Sequence, residues 1–465
     1  MKPKIAVIGG GISGLTAAFC LTKNNASAEV TLFEATDRLG GVLDTIEKDG
    51  FLFERSADNF IANEGAPWAL DLCEEIGFRD QLIQTNTEHR RALIWSRGRL
   101  HPVPEGFQLM KPSNMWAIAR SPLLSIRAKL RMAMERFVKD PKGGPDESLA
   151  TFSKRRLGEE AFERLVQPLV SGIFTADANK LSMQAALPQF VKMVETHGSL
   201  IAAARKQKNG DSSSGARYGQ FYAPKQGMAS LIGHLAGKLV NTDINLSCPI
   251  SSIRREGNSW FLNTEENELE FNAVVIALPA SRCSTLVKDV SIDLSNQLSS
   301  IEHASSSVVC LGYRNEQFRK PLNAFGIVIP EVEDRPSLAV SFSSMKFPNR
   351  APHGFQLLRV FVGGALRPEI AKLPDDELVE LATKEMEILL GAKGGPEVIG
   401  PIVRWSSTMP QYHIGHRDKV RQIREITKTV RGLEIISNGL DGVGVPQCVK
   451  RGMDAANKIE KDLSQ

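Results

Sequence analysis

The sequence predicts an α/β protein whose core is a mostly parallel sheet of the Rossmann-like type. Three observations favour this fold: a strand, a glycine-rich turn and a helix open the chain, an acidic residue follows the next strand, and a second glycine-rich turn lies shortly before the C-terminus. A chain of 465 residues is too long for one compact core. We therefore expect two or three domains, with the Rossmann-like sheet assembled from both ends of the sequence.

The first glycine-rich turn has the spacing of a dinucleotide-binding motif. It lies between the apolar run from Lys4 to Ile8 and the helical stretch from Leu15 to Thr22, with its glycines spaced as G-x-G-x-x-G. The first glycine permits a tight turn, the second lets the backbone approach a pyrophosphate, and the third lets helix and strand pack closely. The start of the helix points free N–H groups at the phosphates. The candidate cofactor-binding residues here are Gly9, Gly11, Ile12, Ser13 and Gly14.

An acidic residue and a further glycine pair follow the second predicted strand. Glu34 directly follows the strand-like run from Glu29 to Phe33. A carboxylate at this position can accept both ribose hydroxyls, and it would repel a 2′-phosphate. Arg38, Gly40 and Gly41 lie just beyond it, and a nicotinamide dehydrogenase has no need of that extension.

The stretch from Glu34 to Gly41 resembles the flavin-binding segment shared by monoamine oxidases, phytoene desaturases and protoporphyrinogen oxidases. In that segment the arginine and the paired glycines approach the diphosphate and ribityl chain of FAD. The resemblance implies non-covalent FAD as the cofactor.

A strand, turn and helix near the C-terminus are expected to complete the same sheet. The run from Leu433 to Ser437 predicts the strand, and a helix is predicted from about Cys448 to Asp462. The turn between them presents backbone N–H groups at a helix N-terminus. It resembles the ending of flavin oxidases in which this helix faces the isoalloxazine and ribityl groups. The residues expected to contact the flavin here are Gly442, Val443 and Val445.

Two positions between the ends are further candidate cofactor contacts. Ile250 opens a run, 250–253, that resembles the strand whose first apolar residue packs on the adenine; core packing is the alternative. Trp405 shortly precedes the family-like segment from Pro410 to His416.

Several segments resemble protoporphyrinogen oxidases in particular, and together the resemblance covers almost the whole chain. The exception is a polar insertion from about Lys206 to Gly219, which we expect to be a mobile loop. The segments that carry the resemblance are Gln167–Phe174, Asp177–Met183, Phe342–Pro352, Phe361–Gly364 and Pro410–His416.

This resemblance implies an FAD-dependent oxidase of haem biosynthesis that converts protoporphyrinogen IX to protoporphyrin IX. Six electrons would leave in three rounds, with oxygen reduced to hydrogen peroxide, and no catalytic side chain is assigned because the flavin N5 accepts the hydride. Coproporphyrinogen III, a substrate with four carboxylates, is the alternative. A flavin amine oxidase is a further alternative. The cysteine that usually binds flavin covalently in those enzymes has only Cys448 as a counterpart here, and Cys448 does not lie in a matching motif.

The same resemblance assigns five substrate-binding candidates. Phe361 matches an aromatic residue that stacks on a pyrrole ring, and Val328 matches an apolar residue of the clamp around the macrocycle. Ser341 falls where plant enzymes carry leucine, so one wall of the pocket is expected to differ. Thr175 and Ala176 replace a glycine-rich pair usual before Asp177, which is expected to narrow the site or to alter how inhibitors fit it. Arg91 aligns loosely with an arginine that pairs with a substrate propionate, a bidentate contact. Arg90 is adjacent and is the second candidate for this contact, and a solvated side chain is the alternative for either residue.

Residues 106–140 combine an apolar face with basic flanks, which is typical of a surface that lies in a bilayer interface. We expect a helical, membrane-associating domain at the inner face of the cell membrane, with a fully packed helical hairpin as the alternative. The expected boundaries are 1–85, 220–290 and 404–465 for the FAD-binding domain, 86–105, 180–219 and 291–403 for an antiparallel-sheet substrate domain, and 106–179 for the helical domain.

Composition and charge bound the remaining possibilities. The net charge of +4 is too small to indicate a nucleic-acid partner. Six widely spaced cysteines predict neither a metal site nor a disulfide framework, which fits a reducing compartment. We see no signal or transit peptide and no apolar run of about 18 residues, so we expect a cytoplasmic protein without a spanning helix. The oligomeric state is left open, with a homodimer as one candidate.

Overall fold

The computed structural model describes residues 2–24, 28–139, 145–206 and 220–464. Most of the expected polar insertion therefore lies outside the described residues. The strands of the described part are β1 (Lys4–Ile8), β2 (Glu29–Phe33), β3 (Thr45–Lys48), β4 (Phe51–Glu54), β5 (Phe60–Ile61), β6 (Leu82–Gln84), β7 (Ala92–Ser96), β8 (Arg99–Pro102), β9 (Phe107–Gln108), β10 (Lys111–Pro112), β11 (Phe221–Pro224), β12 (Thr242–Asn245), β13 (Ser252–Glu256), β14 (Ser259–Asn263), β15 (Glu268–Phe271), β16 (Ala273–Ile276), β17 (His303–Arg314), β18 (Gly326–Val328), β19 (Ser337–Phe342), β20 (Phe355–Gly363), β21 (Val398–Pro410) and β22 (Leu433–Ile435).

The α-helices surround two large sheets and form one separate helical region. Short 3₁₀ turns and a π-helical turn at Phe162–Val166 connect some of them. The α-helices of the described part are α1 (Ile12–Asn24), α2 (Trp68–Glu75), α3 (Met115–Arg120), α4 (Ile126–Ala133), α5 (Leu149–Leu157), α6 (Glu159–Ala161), α7 (Gln167–Phe174), α8 (Met183–Ala186), α9 (Pro188–His197), α10 (Leu200–Lys206), α11 (Met228–Ala236), α12 (Ala280–Leu286), α13 (Ile292–Ser299), α14 (Ser343–Lys346), α15 (Asp375–Leu390), α16 (His416–Thr429) and α17 (Val445–Leu463).

The predicted parallel sheet is confirmed, and it contains strands from both ends of the chain. Its order is β12-β2-β1-β16-β22, with every neighbouring pair parallel. The apolar run of β1 is explained by burial on both faces, as expected for a central parallel strand. Ile5 and Val7 join the core on one face, whereas Ala6 and Ile8 join the core on the other.

The C-terminal helix α17 packs directly on α1. A Cβ atom at Gly452 would lie 2.5 Å from the carbonyl oxygen of Ser13, so only glycine permits this approach. The helix begins at Val445 rather than at the predicted Cys448, because proline is tolerated in the first turn and Pro446 lies there. The helix α17 is therefore held against the start of α1.

A second, seven-stranded sheet has the order β21-β17-β20-β19-β18-β7-β8. Its neighbours are antiparallel except for β18 and β7, which run parallel, so the expected antiparallel sheet is in fact mixed. The parallel pair is possible because β7 and β18 are joined by a long connection rather than by a hairpin turn.

The helical region, which we define as residues 106–139 and 145–206, contains α3 to α10. Residues from both sides of position 180 share one hydrophobic core, which also contains Ala92, Ile94, Val103 and Tyr412. The expected domain boundaries therefore stay predictions. In the described residues no helix is long and apolar enough to cross a membrane. The shared core includes Leu123, Phe152, Leu165, Leu181, Phe190 and Leu200.

A fully buried ion pair joins the helices of this region. The Nη1 atom of Arg156 lies 3.2 Å from the Oε1 atom of Glu135, and both side chains are inaccessible to solvent. Glu135 also accepts the backbone N–H of Leu200 at 2.9 Å, while Arg156 donates to the carbonyl oxygens of Val138 and Gly198. The pair thereby ties the end of the α4 segment to α5 and to the start of α10.

We expect Arg156→Met to lower the free energy of unfolding by about 3 kcal/mol, because it leaves the buried Glu135 carboxylate without its cation. Urea titration followed by circular dichroism measures the change. Arg127→Met is the matched control, since Arg127 is exposed on α4 and should have almost no effect. Equal unfolding midpoints for both variants would mean that backbone donors alone are enough to hold Glu135.

Candidate functional site

The turn between β1 and α1 leaves an open space above its backbone. Gly9 has a φ of +109°, and its N–H donates to the carbonyl oxygen of Phe33 at 2.8 Å. A Cβ at Gly14 would lie 1.9 Å from the carbonyl oxygen of Gly9, which is the close helix–strand packing expected of this position. A Cβ at Gly11 would meet nothing within 4 Å. The room above Gly11 and the start of α1 therefore suits a pyrophosphate.

Glu34 is fixed at the carboxyl end of β2. One carboxylate oxygen accepts the N–H of Gly10 at 2.7 Å, and the other accepts the N–H and the hydroxyl of Thr36 at 2.9 and 2.8 Å. A carboxylate has about four lone-pair sites, so acceptor capacity remains for ribose hydroxyls. The geometry fits the predicted role, which remains a prediction.

Arg38 shapes the loop that faces this turn. Its Nη2 atom donates to the carbonyl oxygen of Gly41 at 2.7 Å. The N–H of Gly40 donates to the carbonyl oxygen of Gly10 at 2.8 Å, and a Cβ at Gly41 would lie 3.3 Å from the Cα of Gly11. Arg38 thus holds the paired glycines against the first turn, in addition to any direct contact with a diphosphate.

The last glycine-rich turn lies at the N-terminus of α17. Gly442 has a φ of +66°, and its carbonyl oxygen accepts a hydrogen bond from the guanidinium of Arg451. Val445 is buried as the first residue of the helix, while Val443 is partly buried against the core of the helical region. The turn therefore stands between the dinucleotide fold and the helical region, where a flavin ring could contact both.

Ile250 and Trp405 occupy separate edges of the site. Ile250 lies in the segment leading to β13, and the N–H of nearby Cys248 donates to the carbonyl oxygen of Glu34 at 2.9 Å, so this segment runs beside the predicted ribose site. Trp405, in β21, donates its ring N–H to the carbonyl oxygen of Arg55 at 3.0 Å. Trp405 also borders a surface cavity of about 400 Å³.

A cavity of about 380 Å³ lies on one face of the seven-stranded sheet. Its floor is built by residues that are direct neighbours across β18, β19 and β20, and the alternation of side chains along each strand puts them on the same face. The apolar row contains Val328, Ala339 and Phe361. The polar row contains Gly326, Ser341 and Arg359.

The structure brings three of the five predicted substrate residues together in this cavity. Val328 and Phe361 belong to the apolar row, and Ser341 belongs to the polar row. The Ser341 hydroxyl is buried and has no hydrogen-bonding partner among the described residues. Sequence reasoning thus found this wall of the cavity without knowing the strand register.

Arg91 and Thr175 do not line the cavity. The Nε atom of Arg91 donates to the carbonyl oxygen of Asn323 at 2.7 Å, and only the next residue, Ala92, reaches the cavity wall. Thr175 has a φ of +46°, and its carbonyl oxygen accepts the N–H of Ala365 at 2.8 Å. Both residues lie at the edge of the site, so their contact with substrate stays a prediction.

Sequence reasoning missed three charged residues of the cavity wall. The Oδ2 atom of Asp58 lies 3.1 Å from the Nζ atom of Lys346 and 3.5 Å from a guanidinium nitrogen of Arg359. Burial alone would raise the pKa of the Asp58 carboxyl, but the charges of Lys346 and Arg359 hold it below its usual value. A signal was present at Arg359, a cation inside the apolar run of β20, because such a residue seldom lies in a strand without a buried partner.

Glu54 is a second buried carboxylate, at the end of β4 and shortly before Asp58 of the cavity wall. Burial raises its pKa to about 7, although the hydroxyl of Thr45 at 2.8 Å and the N–H of Met228 at 2.9 Å oppose the rise. These bonds attach the hairpin of β3 and β4 to the start of α11. Glu54 therefore positions the segment that continues to Asp58.

Comparison with known proteins identifies the family of this chain. The sequence model of the family described as flavin containing amine oxidoreductase matches residues 12–459. The coproporphyrinogen III oxidase of Bacillus subtilis (strain 168) is 29% identical, with 98% of this chain and 97% of the relative covered. The chloroplastic protoporphyrinogen oxidase of Nicotiana tabacum is 29% identical, with 99% of this chain and 86% of the relative covered. The solved structure of a provisionally named protoporphyrinogen oxidase from Exiguobacterium sp. 255-15 has a TM-score of 0.88 at 27% identity, with 100% of both chains covered.

The family match confirms two predictions, a flavin-dependent oxidoreductase and FAD as its cofactor. The residues present fit FAD: the open space above Gly11 suits the diphosphate, and the carboxylate of Glu34 suits the ribose. That the flavin is held without a covalent bond stays a prediction.

We expect Gly11→Ala to fold normally and yet to bind FAD at least tenfold more weakly, a loss of ~1.4 kcal/mol. The added methyl group meets no protein atom, so it would occupy only the space assigned to the diphosphate. Flavin content after purification and FAD titration of the apoprotein measure the effect. Gly233→Ala, on the exposed side of α11 with nothing within 4 Å, is the control and should bind FAD as wild type does. Unchanged FAD affinity in Gly11→Ala would move the diphosphate away from this turn.

Proposed function

We propose that this chain, which belongs to the flavin containing amine oxidoreductase family, is an FAD-dependent porphyrinogen oxidase of haem biosynthesis. The observation that carries the proposal is the cavity on the seven-stranded sheet, whose floor pairs an apolar row with a polar row. A porphyrinogen would suit both rows, since it is a broad apolar macrocycle that carries carboxylates at its rim. The names of the full-length relatives agree with this substrate class.

The residues of the cavity would hold the substrate rather than perform proton chemistry on it. Bound FAD would supply the oxidising power, in rounds that each remove two electrons from the substrate and end with their transfer to oxygen. Phe361 and Val328 can pack on the macrocycle, and the apolar wall excludes water from it. Three such rounds remove six electrons. No side chain is assigned as a base, because ring N–H protons can exchange with solvent.

Protoporphyrinogen IX is the substrate that the apolar row favours. At least one of its two propionates would lie at the open edge of the cavity. Arg91 is suited to hold one of them there, because its bond to Asn323 orients the guanidinium and uses only the Nε atom within the described residues. Arg90 is less suited, since it already donates to the carbonyl oxygens of Thr85 and Asn86.

Coproporphyrinogen III is a second candidate that one observation favours. Lys346 and Arg359 put two cations against one carboxylate, that of Asp58, on the cavity wall. A substrate with four carboxylates meets this charge better than one with two. Ser341, which stands where plant enzymes carry leucine, makes the same wall more polar.

Anaerobic bleaching of the flavin, followed by oxygen turnover, tests the function and separates the substrates. At equal concentrations we expect both porphyrinogens to bleach the flavin, with protoporphyrinogen IX faster if apolar packing dominates and coproporphyrinogen III faster if the cations dominate. Peroxide should form with the porphyrin. A protein that demonstrably carries FAD and is bleached by neither compound would contradict the proposed function.

The helical region also supports attachment to a membrane surface. Trp116 is 77% exposed and Phe137 is 70% exposed, and exposed Ile126 and Leu130 follow each other at one-turn spacing on α4. The guanidinium of Arg136 lies 4.8 Å from the ring centre of Phe137. Exposed aromatic and aliphatic side chains with basic neighbours are suited to the interface of an anionic bilayer. We accordingly propose that the enzyme attaches to the inner face of the cell membrane, in the cytoplasm.

Sedimentation with vesicles tests this attachment. The wild-type protein should sediment with vesicles of phosphatidylglycerol and phosphatidylethanolamine more than with phosphatidylcholine alone, because anionic headgroups attract the basic residues. Replacing Trp116 and Phe137 by alanine together should abolish most of the binding. Val240→Ala is the control, since Val240 is 83% exposed outside the helical region. Equal sedimentation of the double variant and wild type would show that these side chains serve another contact.

A further inference from the structure

We infer that Lys346 binds a carboxylate of the substrate inside the cavity and leaves its ion pair with Asp58 to do so. This inference rests on the proposed function and deepens it, because it names a group that recognises an acidic tetrapyrrole and thereby sets specificity. It would be a binding contact and takes no part in the electron transfer itself.

Lys346 and Arg359 share the Asp58 carboxylate unequally. The Arg359 side chain is 2% exposed, donates to the carbonyl oxygen of Ser56, and lies with its guanidinium 5.2 Å from the ring centre of Phe361. The Lys346 side chain is 18% exposed, and its Nζ atom bonds to Asp58 at 3.1 Å. Arg359 is therefore held on several sides, whereas Lys346 can turn toward a ligand while Arg359 keeps Asp58 paired.

The charges on the cavity wall do not balance, and one more anion would neutralise them. Among the described residues that line the cavity, the ionisable ones are Asp58, Lys346 and Arg359. Two cations and one carboxylate give a net charge of +1. An entering carboxylate would cancel that charge: it would pair with Lys346 while Asp58 stays paired with Arg359. A neutral apolar ligand would leave the surplus cation uncompensated in a largely apolar cavity, which is unfavourable.

The polar row supplies a second contact for the same carboxylate. Ser341 is the direct neighbour of Arg359 across β19 and β20, and its buried hydroxyl has no partner among the described residues. A buried hydroxyl without a hydrogen bond costs free energy. A ligand oxygen that reaches Lys346 over this row would remove that cost, while the ring body of the ligand packs on Val328 and Phe361.

Binding of coproporphyrin III and of its tetramethyl ester to the FAD-loaded enzyme tests the inference, with porphyrin fluorescence anisotropy as the readout. Lys346→Met should weaken binding of the acid roughly tenfold or more, the size expected when a hydrogen bond to a charged group is lost, and should leave the ester unchanged. Lys346→Arg should recover most of the affinity for the acid. For whichever porphyrinogen wild type oxidises, Lys346→Met should raise KM with little change in kcat.

Two further variants separate recognition from folding. Ser341→Ala should weaken the acid several-fold at no cost in stability, because its hydroxyl bonds to nothing among the described residues. Lys372→Met removes a lysine from the surface cavity that Trp405 borders and should change the binding of neither ligand. Equal weakening of acid and ester in Lys346→Met, or no weakening of either, would overturn the inference while the oxidase activity stood. A wild-type enzyme that oxidises no porphyrinogen would instead contradict the proposed function, and the acid–ester difference would still show whether Lys346 binds carboxylates.

Discussion

The close contact between α1 and α17 is the constraint on which the site depends. Gly452 lets the last helix lie against the carbonyl oxygen of Ser13, and this contact fixes the helix that follows the last glycine-rich turn against the helix that follows the first. The parallel sheet makes the contact possible, since β1 and β22 both end at the edge where those turns begin, on either side of β16. A cofactor that spanned both turns would thus be held by residues more than 400 positions apart in the sequence.

A second constraint is the register of the mixed sheet. Because β18, β19 and β20 are aligned residue by residue, one face carries an apolar row beside a polar row. A shift of one residue in any of these strands would turn its members to the opposite face and close the cavity. The segment from Glu54 to Asp58 connects this face to β3 and to the start of α11, with buried hydrogen bonds at Glu54 and ion pairs at Asp58.

Buried charge has two different uses in this molecule. The pair of Glu135 and Arg156 is enclosed, saturated by backbone groups, and holds helices together. The group of Asp58, Lys346 and Arg359 lines the cavity and has one cation more than the number of its carboxylates. The difference lies in access and in charge balance, since an enclosed balanced pair can only stabilise, whereas an accessible surplus cation can bind a ligand.

The sequence by itself determined the cofactor class and the parallel sheet, because both depend on local patterns: glycine spacing, an acid after a strand and a repeated strand–turn–helix order. It also indicated Val328, Ser341 and Phe361, through motifs that each occupy a short segment. Only the tertiary structure decided that these three share a cavity with Asp58, Lys346 and Arg359, that Arg91 and Thr175 stand at its edge, and that residues on both sides of position 180 share one hydrophobic core. The reason is physical: cross-strand register, helix packing and the pairing of buried charges join residues far apart in the chain, and no local pattern records which partner each of them meets.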